Sequence, residues 1–173
     1  MNVSWPKAFK VGGFLAGLCA VLALAIAGAD LLTKDIIIKN KLAKENAGLR
    51  RIFGSSADYG EAESVEEGYI QKYWTVTEDN KDLGRVYSVK GKNAYGEVSL
   101  LIGIDTAYRL GEMVTIENTE SYGQTLEDEY LAAYAASEDK EDALLRVSCG
   151  ATYGAKLCRD MVLSAVEHYK EGK

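Results

Sequence analysis

Glu97-Val98-Ser99-Leu100-Leu101-Ile102-Gly103-Ile104-Asp105 carries charge only at its two ends. A short apolar run of this kind, bounded by Gly96 and rich in branched side chains, reads as a buried β-strand. Its neighbours extend the pattern. Tyr69 to Thr77 is rich in Tyr, Ile, Trp, Val and Thr, all good strand formers. Asp79-Asn80 is a turn signal, and Gly84 to Lys90 is the next strand, with Val86 and Val89 out of strict phase. Lys92-Asn93 is a second turn. Gly111 to Asn118 follows, with Met113, Thr115 and Glu117 on one side and Val114 and Ile116 on the other. These runs predict an antiparallel meander of about four strands. The acidic stretch Glu61 to Glu67 reads as solvated.

Helical periodicity flanks the meander. Leu126, Tyr130, Leu131 and Tyr134 share one face of a helix over Leu126 to Ala136. Leu157, Met161, Val162, Ala165 and Val166 form the apolar stripe of a final helix over Ala155 to Tyr169. Leu144 to Ser148 reads as a short strand between them. The expected fold class is α+β: an N-terminal transmembrane helix, then a small domain with an antiparallel sheet and flanking helices.

The N-terminal helix rests on composition. Val11 to Ala29 runs 19 residues without a charge. About 20 apolar residues span the hydrocarbon core of a bilayer. Gly13 and Gly17 give a small-xxx-small spacing suited to close helix contact in lipid. Lys7, Lys10 and Ala27-Gly28-Ala29 also fit a cleaved signal peptide, though the apolar run is longer than a usual signal core. A lipoprotein site at Cys19 is disfavoured by Leu18, where a small residue is wanted. Lysines flank both ends, Lys7 and Lys10 before the span and Lys34, Lys39, Lys41 and Lys44 after it, so charge does not set the orientation. Beyond the span, Leu31 to Arg51 continues as helix until Gly54-Ser55-Ser56.

The chain of 173 residues has a formal charge of −6. An acidic surface disfavours nucleic acid and anionic lipid as partners. Three cysteines, Cys19, Cys149 and Cys158, are too few for a disulfide scaffold, although a single Cys149–Cys158 bridge is open on an oxidising side of a membrane. With no C-x-x-C pair and one histidine, His168, a zinc site of the Cys/His type is not expected. His168 reads as a surface residue near a helix C-terminus.

The chemistry-bearing run is Ser148-Cys149-Gly150-Ala151-Thr152, just before the last helix. Small residues let backbone approach a phosphate, helix N-termini offer unpaired N–H groups, and Thr152 adds a hydroxyl. Taken alone, Thr152 reads first as a helix N-cap, a common use of Thr.

The run Gly150-Ala151-Thr152 resembles the [Ser/Thr]-Gly-Ala-Thr signature of the FMN-binding domain family. That family includes the G subunit of Rnf ion-translocating electron-transport complexes and the C subunit of sodium-translocating NADH:quinone reductases. A second block supports the resemblance. Tyr95-Gly96 through Asp105 is similar to the family's Gly-rich start and apolar strand, and Glu120-Ser121-Tyr122-Gly123 stands where the family has Glu-Thr-Pro-Gly. The resemblance covers Tyr95 to Val166, under half the chain. It departs at Cys149, in place of Ser/Thr, at Gly154, in place of a common Ser/Thr, and at Arg146, in place of the Asp read by the flavin-attaching transferase. Arg146 either weakens that attachment or sits beside the phosphate.

What the resemblance implies is specific. FMN is phosphoester-linked to Thr152, with Cys149, Gly150, Ala151 and Tyr153 around the attachment point and Glu120, Ser121 and Tyr122 facing the cofactor from the opposing loop. No catalytic side chain and no metal are implied, since the cofactor carries the redox chemistry. The implied organisation is a short N-terminal segment (1–10), a transmembrane helix (11–30), a helical stalk and connector (31–60) and an FMN-binding domain (61–173). The implied protein is an electron-transfer subunit of an Rnf-type complex, with other membrane subunits and a flavin transferase as partners. It sits in the cytoplasmic membrane with its domain on the outer face. A stand-alone flavinylated surface protein for extracellular electron transfer, and a structural subunit without flavin, are the alternatives.

Overall fold

A computed structural model describes residues 5–123, 126, 128–136 and 151–172. The expected strand at Leu144 to Ser148 and residues 1–4 of the short N-terminal segment lie outside the described residues. The chain is α+β and divides into two compact units, Met1–Leu42 and Ala43–Lys173. The helix α1 spans Trp5–Ile52. By length and composition it is apolar enough to cross a membrane, and the hydropathic window is unburied. Phe14, Leu18, Leu22 and Ile26 are among its exposed side chains, so this stretch is not the core helix of the described protein.

In the second unit six strands form one antiparallel sheet: β1 (Asp58–Tyr59), β2 (Glu63–Glu67), β3 (Ile70–Glu78), β4 (Lys81–Asn93), β5 (Gly96–Asp105) and β6 (Leu110–Asn118). The order is β1-β3-β4-β5-β6, with β2 also on the outer edge of β3. The meander β3 to β6 is the one that the alternation of sequence predicts. At Asp79-Asn80 both residues take positive φ, 50° and 62°, the conformation of a two-residue hairpin turn, and Glu78 pairs with Lys81. Lys92 and Asn93 belong to β4, and the turn falls one step later, at Ala94-Tyr95. Glu63 to Glu67 forms a strand, and Glu61, Glu63 and Glu67 are exposed as expected. Its charges sit at a sheet edge, where acidic side chains discourage pairing with other chains, while the backbone pairs with β3.

The strand β5 is buried because both of its faces are covered. Val98, Leu100, Ile102 and Ile104 join the larger core with Leu126, Tyr130 and Leu131, and with Leu157, Met161 and Val162. Leu101 points the other way, into a smaller core with Leu49, Trp74, Val76, Val86 and Ile116. Each such aliphatic side chain contributes roughly 2 kcal/mol by leaving water. The last turns of α1 press close to this second face. A Cβ on Gly103 would lie 2.3 Å from Ile52 Cγ2, so only glycine allows the helix to approach there.

Two helices cover the larger core. The helix α2 (Asp128–Ala136) packs on β6 and α3 (Thr152–Lys170) on β4 and β5. The predicted stripe of α3 is the buried one: Leu157, Met161, Val162 and Ala165 face the sheet, with Val166 partly buried. Cys158 is buried in the same core, and Cys149 lies outside the described residues. The stripe also includes His168, which is 6% exposed. The expectation of a surface histidine is thereby corrected. His168 continues the spacing of Met161 and Ala165, and its ring packs on Tyr73 and Tyr87.

Candidate functional site

The first turn of α3 sits against the loop that follows β6. Asn118 and Asn93 build that junction. Asn118 Oδ1 accepts the Glu120 N–H at 3.1 Å, and Asn118 Nδ2 donates to the Gly123 carbonyl at 2.9 Å. Gly123 N–H in turn donates to the Glu120 carbonyl. Asn93, at the end of β4, accepts from the N–H groups of Tyr95 and Gly96 and donates to Glu120 Oε1 at 2.8 Å. Glu120 is thus held by two strand ends at once. Short side chains that bond their own neighbouring backbone are the usual means of fixing such loops.

Glu120 is 8% exposed, and its second oxygen, Oε2, is buried with no hydrogen-bond partner. It faces Gly154 in α3, where a Cβ would lie 2.1 Å from Oε2. Glycine at 154 is therefore what lets the helix start lie against this carboxyl. A buried polar atom without a partner costs free energy, and it marks a place that a ligand or a proton completes.

Tyr95, Glu120, Tyr122, Ala151, Thr152 and Tyr153 line one pocket of about 300 Å³. The two sequence blocks, about thirty residues apart, meet there. Ala151 is the N-cap residue of α3 and supplies no capping side chain. Thr152 is the first helical residue, so its hydroxyl does not serve as the cap. It is exposed, and among the described residues it makes no side-chain hydrogen bond. The first-turn N–H groups of α3 lack intrahelical acceptors by helix geometry, and that turn carries no acidic residue. A helix N-terminus suits an anion, and the Glu120 carboxyl already lies against this one at Gly154.

Of the site residues expected from sequence, the structure brings Thr152, Ala151, Tyr153, Glu120 and Tyr122 together. Tyr122 and Tyr153 are 57% and 61% exposed, so neither is a core tyrosine. Ser121 does not line the pocket. Its N–H and hydroxyl both donate to the Tyr95 carbonyl, so it ties the two loops together. Cys149, Gly150 and Arg146 lie outside the described residues. Sequence reasoning placed Tyr95 in the first block and Asn93 at a turn without giving either a site role, and it gave Asn118 none beyond the end of a strand. The asparagines at strand ends were the available signal for the last two.

At the other end of α3 the polar groups are satisfied within the protein. Tyr87 Oη lies 3.1 Å from His168 Nδ1, and Arg85 sits over the rings of Tyr73 and Tyr169 at 4.8 and 5.1 Å. The Tyr73 hydroxyl donates to Glu63, and that bond is the main reason its pKa is raised. Burial raises that of Tyr87, against a smaller lowering by Arg85. Both phenols stay protonated and neutral at physiological pH.

No protein-family model matches the chain, and no curated protein matches it in sequence.

The donor set of the pocket fits a phosphate ester that carries a planar ring. It offers an exposed hydroxyl at a helix N-terminus, small residues beside it, aromatic side chains around it, and a carboxyl oxygen able to take a hydrogen bond.

Proposed function

We propose that this chain is a membrane-anchored electron carrier that holds FMN as a phosphoester on Thr152, in the manner of the G subunit of Rnf complexes. The observation that supports the reading is the meeting of Thr152 with Glu120 and Tyr122 in one pocket. Thr152 and Glu120 are positions at which the sequence resembles the FMN-binding domain family, Tyr122 stands where that family has Pro, and nothing in their separation along the chain requires them to meet.

In this reading each residue has a physical task. Thr152 supplies the ester oxygen. Ala151 and Gly150 keep the approach to it narrow in bulk, and the N-terminal N–H groups of α3 favour the phosphate charge. Glu120 offers Oε2 to a hydroxyl or N–H of the cofactor. Tyr122 and Tyr153 exclude water from the ring. When bound, FMN supplies the capacity to take up and release electrons one at a time, and the protein sets its environment. The apolar part of α1 crosses the cytoplasmic membrane and leaves the domain on the outer face. Neighbouring membrane subunits supply and receive the electrons, and a flavin transferase makes the bond.

The test is in-gel flavin fluorescence under denaturing conditions, on protein purified from its native membrane. Wild type gives a fluorescent band at the mass of this chain, and Thr152→Val gives none. A dark wild-type band sinks the covalent assignment. A flavin extract of the undenatured protein then separates non-covalent FMN from a purely structural subunit. Co-purification of other membrane subunits separates a complex from a stand-alone surface carrier.

A further inference from the structure

Outside α1, four large hydrophobic side chains are exposed among the described residues: Tyr95, Tyr108, Tyr122 and Tyr153. Three of the four line the pocket beside Thr152. Clustered exposed aromatics mark a binding surface rather than ordinary surface composition. Tyr95 has no part in the attachment chemistry and opens the first sequence block without an assigned contact, yet its ring lies 5.3 Å from that of Tyr153, with the planes inclined by 36°.

We propose that Tyr95 is the ring-holding residue of this pocket, stacking on the isoalloxazine of the flavin with Tyr153 as the adjoining wall. The inference rests on the FMN reading of Thr152 and deepens it by assigning the residue that positions the ring. Three observations lead to Tyr95 in particular. First, its backbone is fixed on both sides. The Tyr95 N–H donates to Asn93 Oδ1 at 2.7 Å, and the Tyr95 carbonyl accepts from the Ser121 N–H at 3.1 Å. Second, the next residue, Gly96, has φ +153°, and a Cβ there would lie 2.5 Å from Glu120 Cα, so the hairpin that carries Tyr95 is locked against the Glu120 loop. Third, Tyr153 is the immediate neighbour of Thr152, and the ring it lies against is that of Tyr95. A tethered planar ring finds its first fixed aromatic surface there. Tyr95 is also 45% exposed, which leaves ring area for a ligand to cover. A phenol is suited to this place because it stacks through its face and keeps its hydroxyl in water.

The experiment compares wild type, Tyr95→Phe and Tyr95→Ala as full chains in detergent. Flavin emission is read before and after denaturation. A stacked tyrosine quenches flavin emission, so wild type brightens on denaturation. The expected result is that Tyr95→Ala is already bright when native, and that Tyr95→Phe loses quenching while keeping the absorption band of a stacked flavin. An unchanged native-to-denatured ratio in Tyr95→Ala overturns the proposal. Circular dichroism controls for folding. The in-gel band reports on Thr152 alone, so the two readings fail separately. If wild type carries no covalent flavin, riboflavin is titrated instead. A loss of affinity of about tenfold in Tyr95→Ala supports the assignment. Equal affinities, or no binding to wild type, overturn it.

Discussion

The two ends of α3 use the same side chain in opposite ways. At its C-terminal end, Tyr73 and Tyr87 are buried, and their hydroxyls are engaged by Glu63 and by His168 and Arg85. At its N-terminal end, Tyr95, Tyr122 and Tyr153 stand half exposed around a pocket whose one carboxyl keeps an unpartnered oxygen. One end spends its aromatic area on stability. The other leaves that area available, together with an exposed threonine hydroxyl. Composition is shared between the two, so the difference lies in what each surrounds. A buried phenol needs a partner inside the protein, and a half-exposed one does not.

Substitutions at the two ends break or sharpen this contrast. Tyr87→Ala has the largest expected effect, a loss of about 4 kcal/mol, because it empties a fully buried site and leaves His168 and Arg85 without their phenol. Thermal melting of the full chain in detergent checks it. Gly154→Ala comes next. Its Cβ meets Glu120 Oε2 and Leu126 Cδ1, so stability falls by roughly 2 kcal/mol and the open end loses its shape. A flavin content equal to wild type in that variant would show that the open end tolerates reshaping.

Asp105→Asn probes the β5–β6 turn, which reaches the C-terminal end of α3 through the ring contact of Tyr108 with Tyr169. Burial raises the Asp105 pKa, but hydrogen bonds from the backbone and side chain of Arg109 and from the Ala107 N–H outweigh it, and the net shift is downward. A depressed carboxyl stabilises the fold above its unfolded value of 3.8 and loses that contribution as pH falls through its lower folded value. The variant is expected to be about 1 kcal/mol less stable at neutral pH and to show a weaker fall in stability below pH ~4. Stability–pH curves of the two proteins check this, and parallel acid limbs would count against it. Tyr153→Ala has the smallest effect on melting, under about 0.5 kcal/mol, since the residue is 61% exposed. If it destabilised the protein as much as Tyr87→Ala, the contrast between the ends would collapse.

Much of the fold was legible because strand and helix periods are written in side chains. The apolar run at β5, the Asp79-Asn80 turn and the stripe of α3 all read correctly for that reason. Two elements did not. The strand β2 is made by backbone pairing at an edge, and its acidic side chains look like those of a loop. His168 obeys the helical period of Met161 and Ala165, but its imidazole suggests surface unless Tyr73 and Tyr87 are known to face it. At the site, Thr152, Glu120 and Tyr122 were legible as short motifs. The contact of Tyr95 with Tyr153 was not, because it is made across the fold.

The path of the chain also has a consequence in time. β3 to β6 pair each with its neighbour in sequence, so the sheet closes through short loops and needs nothing from the C-terminus to begin forming. Asn93, Tyr95 and Glu120 are in place once that meander exists. Thr152 follows them in the chain, and it reaches them only when α3 docks. Under the proposed FMN reading, the attaching enzyme would meet Thr152 in one of two settings, on an undocked segment or inside a finished pocket. The rate at which α3 docks decides how long the first setting lasts.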